Sequence, residues 1–354
     1  MHSTIATITD DFVLYRSLEP CDPRLPGLAA LREQLGLAPH SLPRKRHSDY
    51  ARVVLAIIEA ARKLHNLGPA SCFIVVGDTE NDRQFTENLR SVSGLPTLGF
   101  IAADSDEAPS LTWKGDTASA NRWHLIDEFM AEAPRRGIEI GPGLVALFDI
   151  DKTLLGPRGR NDPLINGARL MGGRAVGKRL LGDALDLDRL DHTYRSLCQS
   201  SMHPFTLDNQ DIVVYTSLLI CSDLVSLEEI AARAQQQPVA DFASLLAETA
   251  DRLPEALREI HAMVQAAVAQ GDPTAFKAFR HEEFRYMVEI MRNDQLTLCG
   301  ELLALGEQLR AAGAICMAAS DKPGEASLPS PEQAAEGLLP LHRTPALVSF
   351  APSR

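Results

Sequence analysis

Two carboxylates one residue apart, Asp149 and Asp151, close the apolar run Leu144-Val145-Ala146-Leu147-Phe148, and Lys152-Thr153 follow them. Carboxylates that flank a single residue can reach one point just beyond the end of such a run. Their mutual repulsion is costly, and a metal ion held by hard oxygen ligands would offset it. A second acidic cluster, Gly77-Asp78-Thr79-Glu80-Asn81-Asp82, closes the apolar run Cys72 to Val76. A third polar cluster, Ser320-Asp321-Lys322-Pro323, closes the run Ala314 to Ala319. Taken singly, each cluster also reads as a solvated turn or a helix cap. Three of them on three apolar runs point to a site.

Runs this short and this uniformly apolar read as strands buried on both faces, as in a parallel sheet covered by helices. In open α/β folds the carboxyl ends of such strands form the ligand-binding edge. The elements between them fit. Tyr50 to Leu67 carries an apolar stripe (Val53, Val54, Ile57, Ile58, Ala61, Leu64), with Ser48 as its expected N-cap and Gly68-Pro69 as its stop. Pro96 to Ala102 reads as a further short strand, and Leu298 to Arg310 as a helix leading to Gly313 and the Ala314–Ala319 strand.

The Asp149-Ile150-Asp151-Lys152-Thr153 pattern after a hydrophobic strand resembles the nucleophile motif of the haloacid dehalogenase superfamily. GDxxND at Gly77 to Asp82 resembles that superfamily's acidic motif, and the strand ending at Ser320 its hydroxyl motif. The resemblance implies a three-layer, Rossmann-like α/β core with a parallel sheet. It implies that Asp149 attacks phosphorus, and that Asp151 protonates the leaving group and then activates water. Ser320 and a lysine would hold phosphoryl oxygens. Mg2+ would be held by Asp149, Asp78 and the Asp151 carbonyl, with Asp82 orienting the ligands. Members that dehalogenate or pump ions lack the second Asp, so a Mg-dependent phosphatase acting on a small phosphomonoester is expected. A phosphomutase or phosphotransferase would use the same aspartyl phosphate, and a non-catalytic binding protein on such a fold is the other reading.

Motif order departs from the superfamily's nucleophile, hydroxyl, lysine, acidic sequence. Here the acidic motif comes first, at Asp78, and the nucleophile second, at Asp149, as a circular permutation would give. Compact domains tolerate this because their ends often lie close together at the surface. Two lysines compete for the phosphate. Lys322 follows Ser320 by two residues, whereas Lys45 in Arg44-Lys45-Arg46 precedes the helix that feeds the Asp78 strand. The permuted order selects Lys45, with Arg44 or Arg46 able to hold its place. A lysine there adds its charge to the positive end of the helix dipole.

The remaining chain divides on composition. Residues 1–104 form the first part of the core and 105–140 a connecting segment and helix. Residues 141–162 carry the nucleophile motif; 163–292 show almost only helical periodicity and resemble the all-helical cap that many members of the superfamily insert after that motif; 293–354 hold the Ser320 motif and a tail. Within the first part, residues 4–15 read as strand, turn and strand, and Leu28 to Leu37 as helix. Residues 104–116 read as a surface connection and Thr117 to Ala133 as one amphipathic helix. Helical stops in the cap are expected at Gly172-Gly173, Gln237-Pro238 and Gly271-Asp272-Pro273. Cap-side substrate contacts are sought among Arg158, Arg160, His203, Lys277, Arg280, His281 and Arg285.

A formal charge of −12 argues against nucleic acid or an anionic membrane as the main partner; the superfamily resemblance implies a small phosphorylated metabolite. Six cysteines without a CxxC pair read as reduced core residues of a cytoplasmic protein. The first residues lack a basic-then-apolar signal pattern, and no uncharged apolar stretch would span a bilayer.

Overall fold

The computed structural model describes residues 1–236 and 241–351, so the stop expected at Gln237-Pro238 lies outside the described residues. Ten strands occur among them: β1 (His2–Ser3), β2 (Val13–Leu14), β3 (Cys72–Gly77), β4 (Thr97–Ala102), β5 (Leu111–Lys114), β6 (Thr117–Ala120), β7 (Leu144–Phe148), β8 (Leu298–Cys299), β9 (Ile315–Ala319) and β10 (Ala346–Ser349). Seven form one sheet in the order β2-β9-β7-β3-β4-β6-β5, parallel throughout except for the antiparallel edge pair β5–β6. The other three form a small sheet, β1-β10-β8. The fold is therefore α/β with a mostly parallel sheet.

The strand that ends at Asp149, β7, lies inside this sheet between β3 and β9. Every residue of β3, β7 and β9 is buried, which explains their unbroken apolar composition. The helix Ser48–Leu64 lays Val53, Val54, Ile57, Ile58 and Ala61 into the core with Phe73, Val75, Val145 and Met317. It starts at Ser48, with His47 as the cap residue, and stops before Gly68. Asn66 takes a left-handed φ of 54°, while Asn66 and Leu67 donate back to the Lys63 and Arg62 carbonyls. That is a Schellman ending, supplied here by asparagine.

Three other elements differ from expectation. Residues 4–15 hold a helical turn, Ala6–Thr9, before β2. Ile5 and Ile8, three apart, are both fully buried, so the apolar spacing is helical there. Leu28 to Leu37 is helical only over Leu28–Leu31. The segment 104–120 contains the hairpin β5–β6, turned at Gly115-Asp116 with Gly115 at φ 63°. A two-residue glycine-bearing turn between β-prone runs is a hairpin signal. The helix expected from Thr117 consequently begins at Ile126, after a short 3-10 turn at Trp123–Leu125.

The chain divides into two compact units: residues 1–165, 288–328 and 334–354 form one, and residues 166–287 with 329–333 the other. The second is built of helices around Leu190, Val214, Leu218, Phe242, Leu246 and Phe276. Gly172-Gly173 does not end a helix; the helix Pro163–Leu181 runs through it. A Cβ on Gly172 would come within 2.7 Å of the Glu283 backbone nitrogen, so glycine serves close helix approach there. Arg280 is 3 % exposed and pairs with Asp211 at 2.6 Å and Glu283 at 2.7 Å. It is a structural cation of this unit, not a free substrate contact. Arg280→Met removes the cation that both buried carboxylates face, and should cost about 3–5 kcal/mol in urea unfolding. A loss below about 1 kcal/mol would refute that role.

All six cysteines are free thiols. Among the described residues no helix is long and apolar enough to cross a membrane.

Candidate active site

Parallel pairing brings the carboxyl ends of β3, β7 and β9 side by side, and with them Asp78, Asp149 and Ser320. Beyond β7 the chain makes a wide turn. The amides of Leu154 and Leu155 donate five residues back, to the carbonyls of Asp149 and Ile150, with Lys152 at a left-handed φ of 68°. Thr153, fully buried, lies with its hydroxyl 3.4 Å from Asp78 Oδ1.

Lys45 is at the centre of the charges. Its ammonium donates to Asp149 Oδ1 at 2.5 Å and to Asp82 Oδ1 at 2.6 Å, and it is 3 % exposed. Burial disfavours its charge, but Asp149 and Asp82 outweigh that and hold its pKa well above the ordinary lysine value. Lys322 sits on the other carboxylate, with Nζ 3.4 Å from Asp151 Oδ1. Both lysines are thus at the site, one on each carboxylate of the pair. Arg44 pairs with Asp321 at 3.2 Å, and Arg46 is exposed.

Asp82 is committed to its surroundings. Its Oδ2 accepts from the Thr79 hydroxyl at 2.7 Å and from the Thr79 amide at 3.1 Å, closing a capping box on the helix Glu80–Ser93. Burial raises its pKa, yet Lys45 and the Thr79 bonds overcome that and hold the group below the usual carboxylate range. Gly77 is required for this turn, since a Cβ there would fall 2.3 Å from Asp82 Cγ.

Asp78 has a different partner, Arg158, whose Nε donates to Oδ2 at 2.5 Å. Burial and the neighbouring Asp82 charge push Asp78 up to about 7, against the pull of Arg158. Asp149 is also pushed well above the carboxylate range, by burial first and then by Asp82 and Asp78, with Lys45 opposing. Three buried carboxylates (Asp149, Asp78 and Asp82) therefore share two cations (Lys45 and Arg158). Among the described residues no group of three or more His, Cys, Asp or Glu side chains forms a metal cluster.

Ser320 is 1 % exposed; its amide donates to the Leu14 carbonyl, and its Oγ accepts the Lys322 amide at 3.3 Å. Of the residues sought as cap contacts, Arg158 belongs to this cluster and Arg160 pairs with Asp104 and Glu301. Lys277 pairs with Asp272, and His203 and Arg285 lie 3.9 Å from Asp208 and Glu282. Sequence reasoning gave Arg158 no link to Asp78. The available signal was its loop, Gly156-Pro157-Arg158-Gly159, whose two glycines take positive φ and fold the arginine back over the strand ends. It also overlooked Tyr50, fully buried and within electrostatic range of Lys45 and Asp149.

Compared with protein-family models, curated proteins and solved structures, the chain matches none of them.

Proposed function

We propose that the chain is a phosphomonoesterase that works through an aspartyl phosphate on Asp149. The observation that carries the reading is the contact of Lys45 with Asp149, at 2.5 Å, on a strand flanked by those ending in Asp78 and Ser320. In the mechanism a carboxylate oxygen of Asp149 attacks phosphorus, and the bond from phosphorus to the ester oxygen breaks. Asp151 gives its proton to that leaving oxygen. Asp151, now ionised, takes a proton from water, whose oxygen attacks the same phosphorus. The bond to Asp149 breaks, which frees phosphate and restores both side chains. Lys45 and Lys322 supply fixed positive charge, and Ser320 a hydroxyl, where negative charge spreads over the phosphoryl oxygens.

Mg2+ suits the donors available, since carboxylate and carbonyl oxygens are hard ligands and the carboxylates Asp149, Asp78 and Asp82 crowd one another beside the cations Lys45 and Arg158. Asp149 and Asp78 would hold it by their carboxylates and Asp151 by its carbonyl, and the ion would supply charge neutralisation at the phosphoryl group. Asp82, engaged by Lys45 and Thr79, would keep that lysine and turn in position.

The haloacid dehalogenase-like reading with a permuted core draws support from the sheet. Starting at β7 and continuing through β9, then β2, the helix Ser48–Leu64 and β3, the motifs run nucleophile, hydroxyl, lysine, acidic. The join this needs falls between β10 and β1, which are antiparallel neighbours. The helical unit fits the expected cap.

The test is phosphate release from a panel of phosphomonoesters, with Mg2+ and with EDTA. Release that depends on Mg2+ is expected. Turnover unchanged by EDTA would overturn the site assignment, and ester product formed without phosphate release would indicate transfer to an alcohol.

A further inference from the structure

The two cations that share Asp149, Asp78 and Asp82 are held in different ways. Lys45 has only 4 % of its side chain exposed and bonds two carboxylates at once. Arg158 has 37 % of its side chain exposed and bonds one. Its Nε donates to Asp78 Oδ2 at 2.5 Å, and Asp78 is its only side-chain partner among the described residues.

The backbone at Arg158 is anchored although its head is not. Its amide donates to the Lys152 carbonyl at 2.8 Å, and its carbonyl accepts from the Asp104 amide at 2.9 Å and from Trp123 Nε1 at 3.2 Å. Gly159 follows at φ 81°, and a Cβ there would fall 1.8 Å from the Asp104 carbonyl oxygen, so only glycine lets the loop lie this close. A flexible aliphatic stem separates that fixed backbone from the guanidinium. The head can therefore turn out to water with no movement of the loop.

Asp78 is one of the two carboxylates that would hold Mg2+. Its side chain is 3 % exposed; Oδ2 faces Arg158, and Oδ1 lies 3.4 Å from the buried Thr153 hydroxyl. An ion on this carboxylate stands within a few ångströms of the guanidinium, where little water screens the two charges. Repulsion at that range outweighs what one charge-assisted hydrogen bond returns. Lys45 would break two buried bonds to leave, whereas Arg158 breaks one and reaches solvent directly.

We propose that Arg158 and Mg2+ exchange on Asp78: the guanidinium neutralises the carboxylate whenever the ion is away, and swings out to solvent when the ion binds. The inference rests on the Mg-dependent reading of the site and adds the residue that sets how tightly the ion is held.

Titration calorimetry of the full chain with Mg2+, in mildly alkaline buffer, reads the exchange without turnover. Wild type, Arg158→Gln and Arg158→Lys are compared, and both substitutions keep every backbone bond of the loop. Arg158→Gln removes the competing charge and should tighten Mg2+ about tenfold or more, since a competitor on the acceptor lowers apparent affinity by the fraction of sites it fills. Arg158→Lys restores the charge without the planar fork and should fall between the two. Spectra of the chain labelled with nitrogen-15 arginine follow the head itself. The Arg158 Nε–H line, identified by its absence from Arg158→Gln, should show a carboxylate partner and lose it at saturating Mg2+. The exchange is refuted if Arg158→Gln binds Mg2+ no tighter than the wild type, or if saturating Mg2+ leaves that line in place. Either result leaves the phosphatase reading standing wherever phosphate release still needs Mg2+. Mg2+ binding by none of the three proteins, with release indifferent to EDTA, would remove both.

Discussion

If Asp149 carries the proposed aspartyl phosphate, Asp149→Asn should abolish phosphate release and leave the protein folded. The amide cannot attack phosphorus, since its nitrogen lone pair is delocalised and its oxygen carries no full charge. Loss of a group that forms the covalent intermediate removes the step itself, so a fall of at least about 10⁴-fold in kcat is expected, comparable to removing a catalytic nucleophile. Stability should move little, because two effects oppose each other. The variant loses the charged partner of Lys45 at 2.5 Å. It also removes a buried carboxylate whose charge is disfavoured by burial, Asp82 and Asp78. Far-UV circular dichroism and a urea midpoint should match the wild type within the range of ordinary single substitutions. A correctly folded variant that keeps a tenth of wild-type turnover would remove Asp149 from the role. Acid quench of the wild type during turnover should in addition trap phosphate on the chain, and the variant should trap none.

Much of this site was legible because its parts are local in sequence. A buried strand announces itself as an unbroken apolar run, and its carboxyl-end residues follow directly, which is how Asp78, Asp149 and Ser320 are found. The sheet then brings them together by pairing β7 with both β3 and β9, a relation that no local pattern carries. Lys45 was reachable only through the motif order, since a basic turn ahead of a helix is common. Arg158 had only its glycine-flanked loop as a signal, because its partner lies 80 residues away and pairing at that range is set by the loop geometry. The hairpin β5–β6 was missed for a different reason. Thr117 to Ala120 has small residues that suit either a helix or an edge strand, and the pairing with β4 decides between them. The course of the helix through Gly172-Gly173 follows the same logic: packing against Glu283 overrides the low helix propensity of glycine.

Lys45 should separate charge in the site from charge in the fold. Its ammonium touches both Asp149 and Asp82 and is almost fully buried, so Lys45→Met leaves two buried carboxylates without the cation between them. Breaking a buried pair in this way costs about 3–5 kcal/mol at neutral pH. The deficit has a predictable pH course. Without Lys45 the folded pKa values of Asp149 and Asp82 both rise, and a carboxyl whose folded pKa exceeds its unfolded one penalises folding as pH climbs from the unfolded value. The difference between wild type and Lys45→Met should therefore grow from pH 4 to pH 7. It should shrink further below pH 4, where Asp82, held low by Lys45, at last protonates in the wild type. Urea unfolding at several pH values measures it. Catalysis should suffer more than stability explains: at a temperature where the variant is folded, kcat/KM should fall about 10²–10³-fold, as when one oxyanion donor is removed. Lys45→Arg keeps the charge but not the compact ammonium that fits between two carboxylates, so it should recover stability more fully than turnover. Lys322→Met provides the contrast. Its partner is Asp151, at 3.4 Å, so its loss should shift the pH dependence attributed to the acid–base group and leave the Asp149 pairing in place. If Lys322→Met reproduced the stability profile of Lys45→Met, or Lys45→Met turned over like the wild type, the assignment of Lys45 to the nucleophile would fail.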